Sequence, residues 1–430
     1  MAAGIGLERT AVELARALIR IDTGNRPGGP GEREAARLVA ATLTAAGGTP
    51  QVLAGSPRRD NVVLRIPGRT AGPGTLMHSH LDTVPPDVGR WQVDPWSGQV
   101  RDGCIWGVGA VDMKSAAAAA VAVARAWLMS GHRPEHDVVF AWLADEEAGG
   151  RWGARYLAEH RADLFTGCDT AIGEVGGFAV PLGRLGTLYP VMTAERGHAV
   201  LELSATTVSG HSGAAGAARP NAVTELAAAV AAIGRHRFPR HPTTAAGEFY
   251  AGLAAVFGLP AALAPTAIGS LAALVEPGLR GTAVPTVFRA GGTPNVSPAT
   301  AAATVDARFV PGHQAEFLAE LADLVPEGIT AAVTVLSPGT DGSFSGRVAT
   351  AITAALRRAD PAAIVVPYGV AASTDGPAFA ALGLRPLGFT PLGLPAGFPF
   401  GELFHGVDER VPVAAVEFGV RVLADVLDSL

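Results

Sequence analysis

An uninterrupted apolar run followed by three acidic residues is the feature that most limits how this chain can fold. The run Val138–Leu143 leads through Ala144 into Asp145-Glu146-Glu147 and then a pair of glycines. An apolar run without helical spacing is typical of a strand buried on both faces of a parallel sheet. Ligands of open α/β sheets bind beyond the carboxyl ends of such strands. Taken alone, the acids are most simply a solvated turn; the alternative is that one binds a cation and its neighbour transfers a proton.

Two other short apolar strands end in polar residues. Thr75–Ser79 leads into His80-Leu81-Asp82, and the run from Thr170 ends at Glu174. Residues two apart on an extended chain point to one side, so either both reach one ion or Asp82 orients the His80 ring. Parallel strands would bring all three strand ends to one edge of a sheet. Imidazole and carboxylate ligands of this kind suit zinc, manganese or cobalt.

A fourth carboxylate follows a glycine-rich turn. Asp112 lies between Gly107-Val108-Gly109 and a helix predicted at Ser115–Ser130. The order of the glycines is not that of a phosphate-binding motif, so they most simply serve to turn the chain. Asp112 could nevertheless project its carboxylate into a cleft beside the strand ends.

The order of the predicted elements divides the chain into two units. Residues 1–193 and 339–430 predict an α/β catalytic domain, with a mixed, mostly parallel sheet and helices on both faces. Residues 194–338 read strand-helix-strand-strand-helix-strand, which predicts an inserted ferredoxin-like α+β lid. An Ala-rich helical insertion is predicted at about 239–279 within the lid. It could line a substrate pocket or be extra core, and the sequence leaves both open.

Composition excludes several classes of function. A formal net charge of −6 without a basic cluster argues against a nucleic-acid partner. Two cysteines do not make a disulfide framework, and the charged, amphipathic start of the chain does not read as a signal peptide. The uncharged stretch 251–275 is broken by Pro260 and Pro265, which favours two short buried helices over a membrane span. We therefore expect a cytoplasmic protein without a membrane segment.

Together, these residues resemble the dinuclear zinc exopeptidase and deacylase family. That family includes acetylornithine deacetylase, succinyl-diaminopimelate desuccinylase, aminoacylase, glutamate carboxypeptidase and carboxypeptidase S. The segments that carry the resemblance follow the family order over nearly the whole chain: Ser79–Pro85, Gly109–Lys114, Ala144–Glu147, Gly173-Glu174, Gly210–Ser212 with Asn221-Ala222, Gly292 with Asn295–Pro298, and the tail around His405. The insertion and the tail look most like the carboxypeptidase S branch.

The resemblance implies five metal ligands around two zinc ions, for which cobalt or manganese can substitute. The implied ligands are Asp112 between the ions, His80 and Glu174 at one ion, and Glu147 and His405 at the other. Glu146 would be the general base, and Asp82 would hold the His80 ring. The resemblance also implies a cis peptide bond between Asp112 and Met113.

Substrate-binding residues are implied mainly on the inserted unit. His211 would stabilise the oxyanion, and in dimeric relatives it comes from the partner chain, so a homodimer through the lid is expected. Arg308 and Asn295 resemble residues that hold a substrate carboxylate, and Ser373-Thr374-Asp375 resembles a substrate-side loop. A guanidinium group suits a carboxylate, although a salt bridge from Arg308 to Asp306 is the alternative.

The expected activity is hydrolysis of an amide next to a free carboxylate, in an N-acyl amino acid or a short peptide. The alternatives are a dipeptidase or aminopeptidase, whose lid would recognise a free amine, and a catalytically silent relative used for binding. All five implied metal ligands, from His80 to His405, and the implied base Glu146 are present in the sequence. Their presence argues against a catalytically silent relative.

Overall fold

The computed structural model describes residues 6–214, 220–260 and 269–430. Within these residues the α-helices are α1 Gly6–Ile19, α2 Arg33–Ala45, α3 Lys114–Ser130, α4 Ala154–His160, α5 Ala222–Arg235, α6 Thr244–Phe257, α7 Gln314–Asp323, α8 Gly346–Ala359, α9 Gly376–Ala380, α10 Phe400–Leu403 and α11 Val413–Asp428. The strands are β1 Gln51–Ser56, β2 Arg59–Ile66, β3 Gly74–His80, β4 Gln99–Arg101, β5 Cys104–Trp106, β6 Val138–Leu143, β7 Cys168–Gly173, β8 Val180–Pro181, β9 Thr187–Glu195, β10 Gly197–Thr206, β11 Gly210–His211, β12 Thr282–Ala290, β13 Val296–Ser297, β14 Thr300–Phe309, β15 Ile329–Ser337, β16 Thr340–Asp341, β17 Ala363–Val370, β18 Arg385–Gly388 and β19 Arg410–Pro412.

The larger sheet is mixed, and its parallel part lies in the middle. The strand order is β1-β2-β6-β3-β7-β18-β9-β16, with β8 and β17 also paired to β9. The neighbours β6, β3, β7 and β18 are parallel, while β1, β2 and β16 pair antiparallel. The carboxyl ends of β6, β3 and β7 therefore lie side by side.

Helices cover both faces of this sheet. On β6, Phe140 and Trp142 belong to a core formed with α1, α2, α3, α8 and α11. The alternate residues Val139 and Leu143 belong to a second core, formed with α4 and α9. Because successive side chains of a strand point to opposite faces, an apolar run buried throughout requires cover on both sides. The predicted fold class is confirmed for this sheet.

A second, four-stranded antiparallel sheet has the order β12-β14-β10-β15. Its buried residues alternate along β14, as in Val305, Ala307 and Phe309, and they pack against α5 and α7. Along the chain these elements run strand, helix, two strands, helix, strand, which is the expected ferredoxin-like α+β unit.

The Ala-rich segment contacts the larger sheet. Helix α6 places Phe249 and Leu253 in a core with Leu188 of β9 and Val366 of β17. Residues 261–268 of the predicted insertion lie outside the described part of the chain. The domain boundaries at 193/194 and 338/339 stay a prediction.

Among the described helices, none combines the length and the apolar character that crossing a bilayer requires.

Candidate metal centre

Three neighbouring strand ends supply the first residues of the site. Strand β3 ends at His80, which lies opposite Leu143, the last residue of β6. The chain after β6 turns through the 3₁₀ segment Glu146–Ala148, and β7 is followed directly by Glu174. The parallel register thus brings the predicted imidazole and carboxylates to one edge of the sheet, as the sequence indicated.

Asp112 joins two groups of possible metal ligands. His80 Nε2 lies 3.0 Å from Asp112 Oδ1 and 3.6 Å from Glu174 Oε2. On the other side, His405 Nε2 lies 3.3 Å from Asp112 Oδ2 and 3.1 Å from Glu147 Oε2. In each group the three ligand atoms lie within 4.8 Å of one another. Each carboxylate oxygen of Asp112 therefore faces a different group.

Asp82 supports the acidic turn more directly than it supports the imidazole. The ring nitrogen His80 Nδ1 lies 3.0 Å from the main-chain oxygen of Asp82 and 3.5 Å from its carboxylate. The fully buried Asp82 carboxylate accepts hydrogen bonds from the backbone N–H groups of Glu146 and Glu147, each at 3.1 Å, and from Asn25 Nδ2 at 2.8 Å. Asp82 thus holds the two glutamates in place relative to His80.

Glu409 holds the turn that carries Asp112. Its buried carboxylate accepts backbone hydrogen bonds from Gly109 at 2.9 Å, Val111 at 2.7 Å and Asp112 at 3.0 Å. Glu409 lies four residues after His405, so one loop supplies a candidate ligand and also fixes the turn that presents another. The peptide bond between Asp112 and Met113 is cis, as the resemblance implied.

The carboxylates give the site a strong preference for positive charge. Burial would lower the pKa of His80, but hydrogen bonds to Asp112, Asp82 and Glu174 outweigh burial and raise that pKa well above its ordinary value. Contacts with Asp112 and Glu147 raise the pKa of His405 to about 10. Imidazoles become this basic only where negative potential is concentrated.

Burial acts in the opposite direction on the acids. It raises the pKa of Glu174 to about 7 and that of Glu146 well above its ordinary value, where Glu174 adds to the rise. Glu147 Oε1 is buried and has no hydrogen-bond partner among the described residues. Oxygen and imidazole donors, a shared carboxylate and an unpaired buried oxygen all fit divalent cations such as zinc, manganese or cobalt.

An open cleft of about 1170 Å³ borders these residues. Asp112, Glu146, Glu147, Glu174 and His405 line one part of it. An apolar wall contains Phe178, Leu274, Leu394, Phe398, Phe400 and Phe404. The cleft is large enough for a small organic substrate with an apolar substituent.

The second sheet contributes a basic residue to the same cleft. Arg308 donates hydrogen bonds to Asp306 at 2.9 and 3.2 Å and to Ser373 Oγ at 3.1 Å. The predicted alternative, a salt bridge to Asp306, is therefore present, yet Arg308, Ser373 and Thr374 all line the cleft. His198, which the sequence analysis did not select, lies 3.2 Å from Asp306 and also lines it.

Two predicted site residues lie elsewhere in this chain. His211 and Asn295 are exposed and neighbour each other, because β11 pairs with β13 and Ser212 N donates to Asn295 O at 3.0 Å. Neither is among the described residues that line the cleft. The structure of a single chain therefore does not bring them to the candidate ligands.

Several supporting residues escaped the sequence analysis for identifiable reasons. Asn25 and Glu409 act through hydrogen bonds to distant backbone or side chains, which no local pattern reveals. His198 lies opposite Arg308 in the β10–β14 register, and this register depends on pairing across more than 100 residues. For Glu409 the sequence does show an acid four residues after a candidate ligand, but it does not show which backbone groups that acid binds.

Similarity to known proteins supports the family resemblance that the sequence motifs indicated. N-fatty-acyl-amino acid synthase/hydrolase PM20D1 of Xenopus tropicalis is 27% identical over 276 residues, which cover 59% of this chain and 51% of that protein. Probable carboxypeptidase S-like 2 of Dictyostelium discoideum is 26% identical over 370 residues, which cover 79% of this chain and 68% of that protein. The chain thus spans about half the length of the frog relative.

A solved structure shows the same fold. The M20 family metallo-carboxypeptidase Sso-CP2 from Sulfolobus solfataricus is 17% identical, with a TM-score of 0.75 over 97% of this chain and 98% of that chain. Residues 76–429, well over half of the sequence, match the sequence model of peptidase family M20/M25/M40. The resemblance drawn from the motifs is thereby confirmed, and the chain belongs to peptidase family M20/M25/M40.

Proposed function

We propose that this protein is a metal-dependent hydrolase that removes an apolar acyl group from the nitrogen of an amino acid. One observation carries the proposal: Asp112 is shared by two groups of possible metal ligands, and Glu146 stands beside them with Oε2 4.0 Å from His80 Nε2. The names of the frog and slime-mould relatives, an N-fatty-acyl-amino acid hydrolase and a carboxypeptidase S-like protein, agree with this reaction type. Carboxypeptidase action on a short peptide would use the same groups.

The five candidate ligands would hold two divalent cations, with Asp112 between them. When bound, such cations supply positive charge that makes water more acidic and polarises an amide carbonyl. Glu146 accepts the proton of the attacking water and donates it to the nitrogen as the carbon–nitrogen bond breaks, so that the amine leaves neutral. The Asp82 carboxylate keeps Glu146 in position by accepting a hydrogen bond from the backbone N–H of Glu146. The side chain of the neighbouring Glu147 points to His405.

The proposed orientation of the substrate uses two groups of residues that line the cleft. Arg308 carries positive charge and receives the free carboxylate, with Ser373 beside it. The apolar wall that includes Phe178, Leu274 and Phe400 receives the acyl chain. A basic residue at this place favours a carboxylate over the free amine that a dipeptidase or aminopeptidase lid would recognise.

We also propose a homodimer. His211 does not line the cleft of its own chain, so its proposed role as an oxyanion donor requires the cleft of a second copy. His211 is exposed on the β11–β13 pair, where it is accessible to such a copy.

The reaction is tested with N-acetyl, N-succinyl and long-chain N-acyl amino acids beside dipeptides, with zinc, manganese or cobalt added. We expect the long-chain N-acyl amino acids to be cleaved best. Glu146→Ala should keep its fold and bound metal but lose about 10²- to 10⁴-fold in kcat, because the proton acceptor is gone. The exposed Glu159 of α4 supplies the control, Glu159→Ala, which should react normally. Normal turnover by Glu146→Ala would show that another group is the base.

A further inference from the structure

Asp375 is a buried acid that the proposed mechanism does not use. It is 6% exposed, and its Oδ2 atom has no hydrogen-bond partner among the described residues. It belongs to neither group of candidate ligands around Asp112. Leaving a buried carboxylate oxygen without a donor is costly, and Asp375 is one of the residues that line the cleft, so the side chain points to a ligand bound there that supplies the missing donor.

The loop that carries Asp375 is held firmly on both sides. Ser373 accepts a hydrogen bond from Arg308 and donates one to the main-chain oxygen of Arg196 at 2.8 Å. Thr374 N donates to Glu195 Oε2 at 2.6 Å. These contacts place the loop against the segment that connects the two sheets, and Asp375 then begins helix α9.

Asp375 also contacts the acidic turn. A Cβ atom added at Gly150 would lie 2.6 Å from Asp375 Oδ1, so the carboxylate packs directly on that glycine. Gly150 N in turn donates to the main-chain oxygen of Asp145 at 2.7 Å, which closes the turn containing Glu146 and Glu147. Asp375 is therefore two residues from Ser373, which contacts Arg308, and it packs against the turn that carries Glu146 and Glu147; it also lines the same cleft.

This series of contacts matches the order of groups in an N-acyl amino acid. The carboxylate and the amide nitrogen are joined through a single carbon, and the scissile carbonyl follows the nitrogen. With the carboxylate at Arg308 and the carbonyl at the metal ligands, the amide N–H falls at Asp375. We infer that Asp375 is a further catalytic residue whose carboxylate accepts a hydrogen bond from the N–H of the scissile amide, an inference that rests on the proposed function.

The hydrogen bond gains strength during the reaction. The nitrogen becomes more basic as its conjugation with the carbonyl is lost, and Glu146 then donates a proton to it. The N–H groups acquire positive charge at that point, and a carboxylate stabilises a charged donor more than a neutral one. Asp375 itself transfers no proton.

Esters supply the decisive test, because they lack the N–H. The substrates are an N-octanoyl phenylalanine and the matching O-octanoyl phenyllactate, which share acyl chain, ring and carboxylate. For Asp375→Ala we expect kcat/KM to fall about 10- to 100-fold on the amide and by less than about 3-fold on the ester. Asp375→Asn, which keeps the shape and one oxygen acceptor, should show a smaller loss with the same selectivity. Asp163→Asn, at an exposed acid paired with Arg161, is the control and should leave both rates unchanged.

The possible results separate the two proposals. Equal losses on amide and ester in either variant would mean that Asp375 acts only on structure or on metal binding, and the inference would be wrong while the proposed function stood. If Asp375→Ala does not fold, the question is decided by Asp375→Asn alone, from the ratio of its loss in kcat/KM on the amide to its loss on the ester. If the unaltered protein cleaves neither substrate, the proposed function fails, and the inference fails with it.

Discussion

In the proposed function, recognition of the substrate carboxylate depends on Arg308. Its guanidinium group is oriented by Asp306 and reaches Ser373 in the cleft. Arg308→Ala should raise KM for N-acyl amino acids about 10- to 100-fold with a smaller effect on kcat, because a charged hydrogen bond to substrate is lost. Steady-state kinetics measures this, with the corresponding N-acyl amino acid amides, which lack the carboxylate, as matched control. An equal rise in KM for the amides would mean that Arg308 does not bind the substrate carboxylate and only forms its salt bridge with Asp306.

Glu195 makes stability depend on pH. Burial raises the pKa of this carboxyl to about 7, with Glu174 adding to the rise although hydrogen bonds from Thr374 and Thr340 oppose it. A carboxyl whose folded pKa exceeds its unfolded value near 4.5 stabilises the fold fully below about pH 4.5, and this contribution is lost as pH rises through 7. We therefore compare the free energies of unfolding of the unaltered protein and of Glu195→Gln. The excess stability of the unaltered protein over the variant should fall by about 3 kcal/mol as the pH rises from about 4.5 through 7.

Denaturant unfolding from pH 4.5 to 7.5 measures this difference. Subtracting the Glu195→Gln curve removes the contributions of the other titrating groups. A difference that stays constant, or that grows with pH, would contradict the raised pKa.

The loop Phe404–Glu409 shows how one segment can organise a site that several elements build. It presents His405 to Asp112 and Glu147, and its Glu409 carboxylate fixes the backbone of the Asp112 turn. Glu409→Gln replaces one acceptor oxygen by a donor that faces backbone N–H groups. We expect the affinity for zinc or cobalt to fall about 10- to 100-fold while the fold persists.

Asp408→Asn is the control for this prediction. Asp408 lies in the same loop, but its carboxylate bonds to Gln92, and its positive φ of 60° suits asparagine. Calorimetric titration of metal into the metal-free variants compares the two. The positioning role assigned to Glu409 would be wrong if both variants bound metal as the unaltered protein does.

Local patterns located the strands that end at the site but missed others of the same sheet, β9 among them. The apolar runs of β3, β6 and β7 are buried on both faces, so they stand out in the sequence. Strand β9 contains Pro190, which cannot donate a hydrogen bond to a neighbour, and the expected domain border at 193/194 falls inside it. Helix α6 lies within the predicted Ala-rich insertion, and only its packing on β9 and β17 shows which part of the protein it covers.

Assembly of two copies is tested by complementation. Glu146→Ala and His211→Ala should each be inactive alone. A mixed dimer of the two should recover activity, because one of its clefts combines an intact Glu146 with a His211 from the other chain. Co-expression with two affinity tags isolates the mixed species, and light scattering measures the molecular mass. A monomeric protein, or mixed dimers as inactive as their parents, would contradict the proposed dimer.

The candidate ligands, and the kinds of elements that carry them, could be predicted from the sequence alone. Apolar runs, glycine turns and the acids and histidines that follow strands are local features, and local features can be read along a chain. The folded structure was needed to show that Asp112 faces both ligand groups, that Asp82 and Glu409 hold the backbone around them, and that Asp375 Oδ2, on a side chain packed against Gly150, has no hydrogen-bond partner within the described residues. These relations join segments tens to hundreds of residues apart, and their geometry is set by how the sheets and loops pack together.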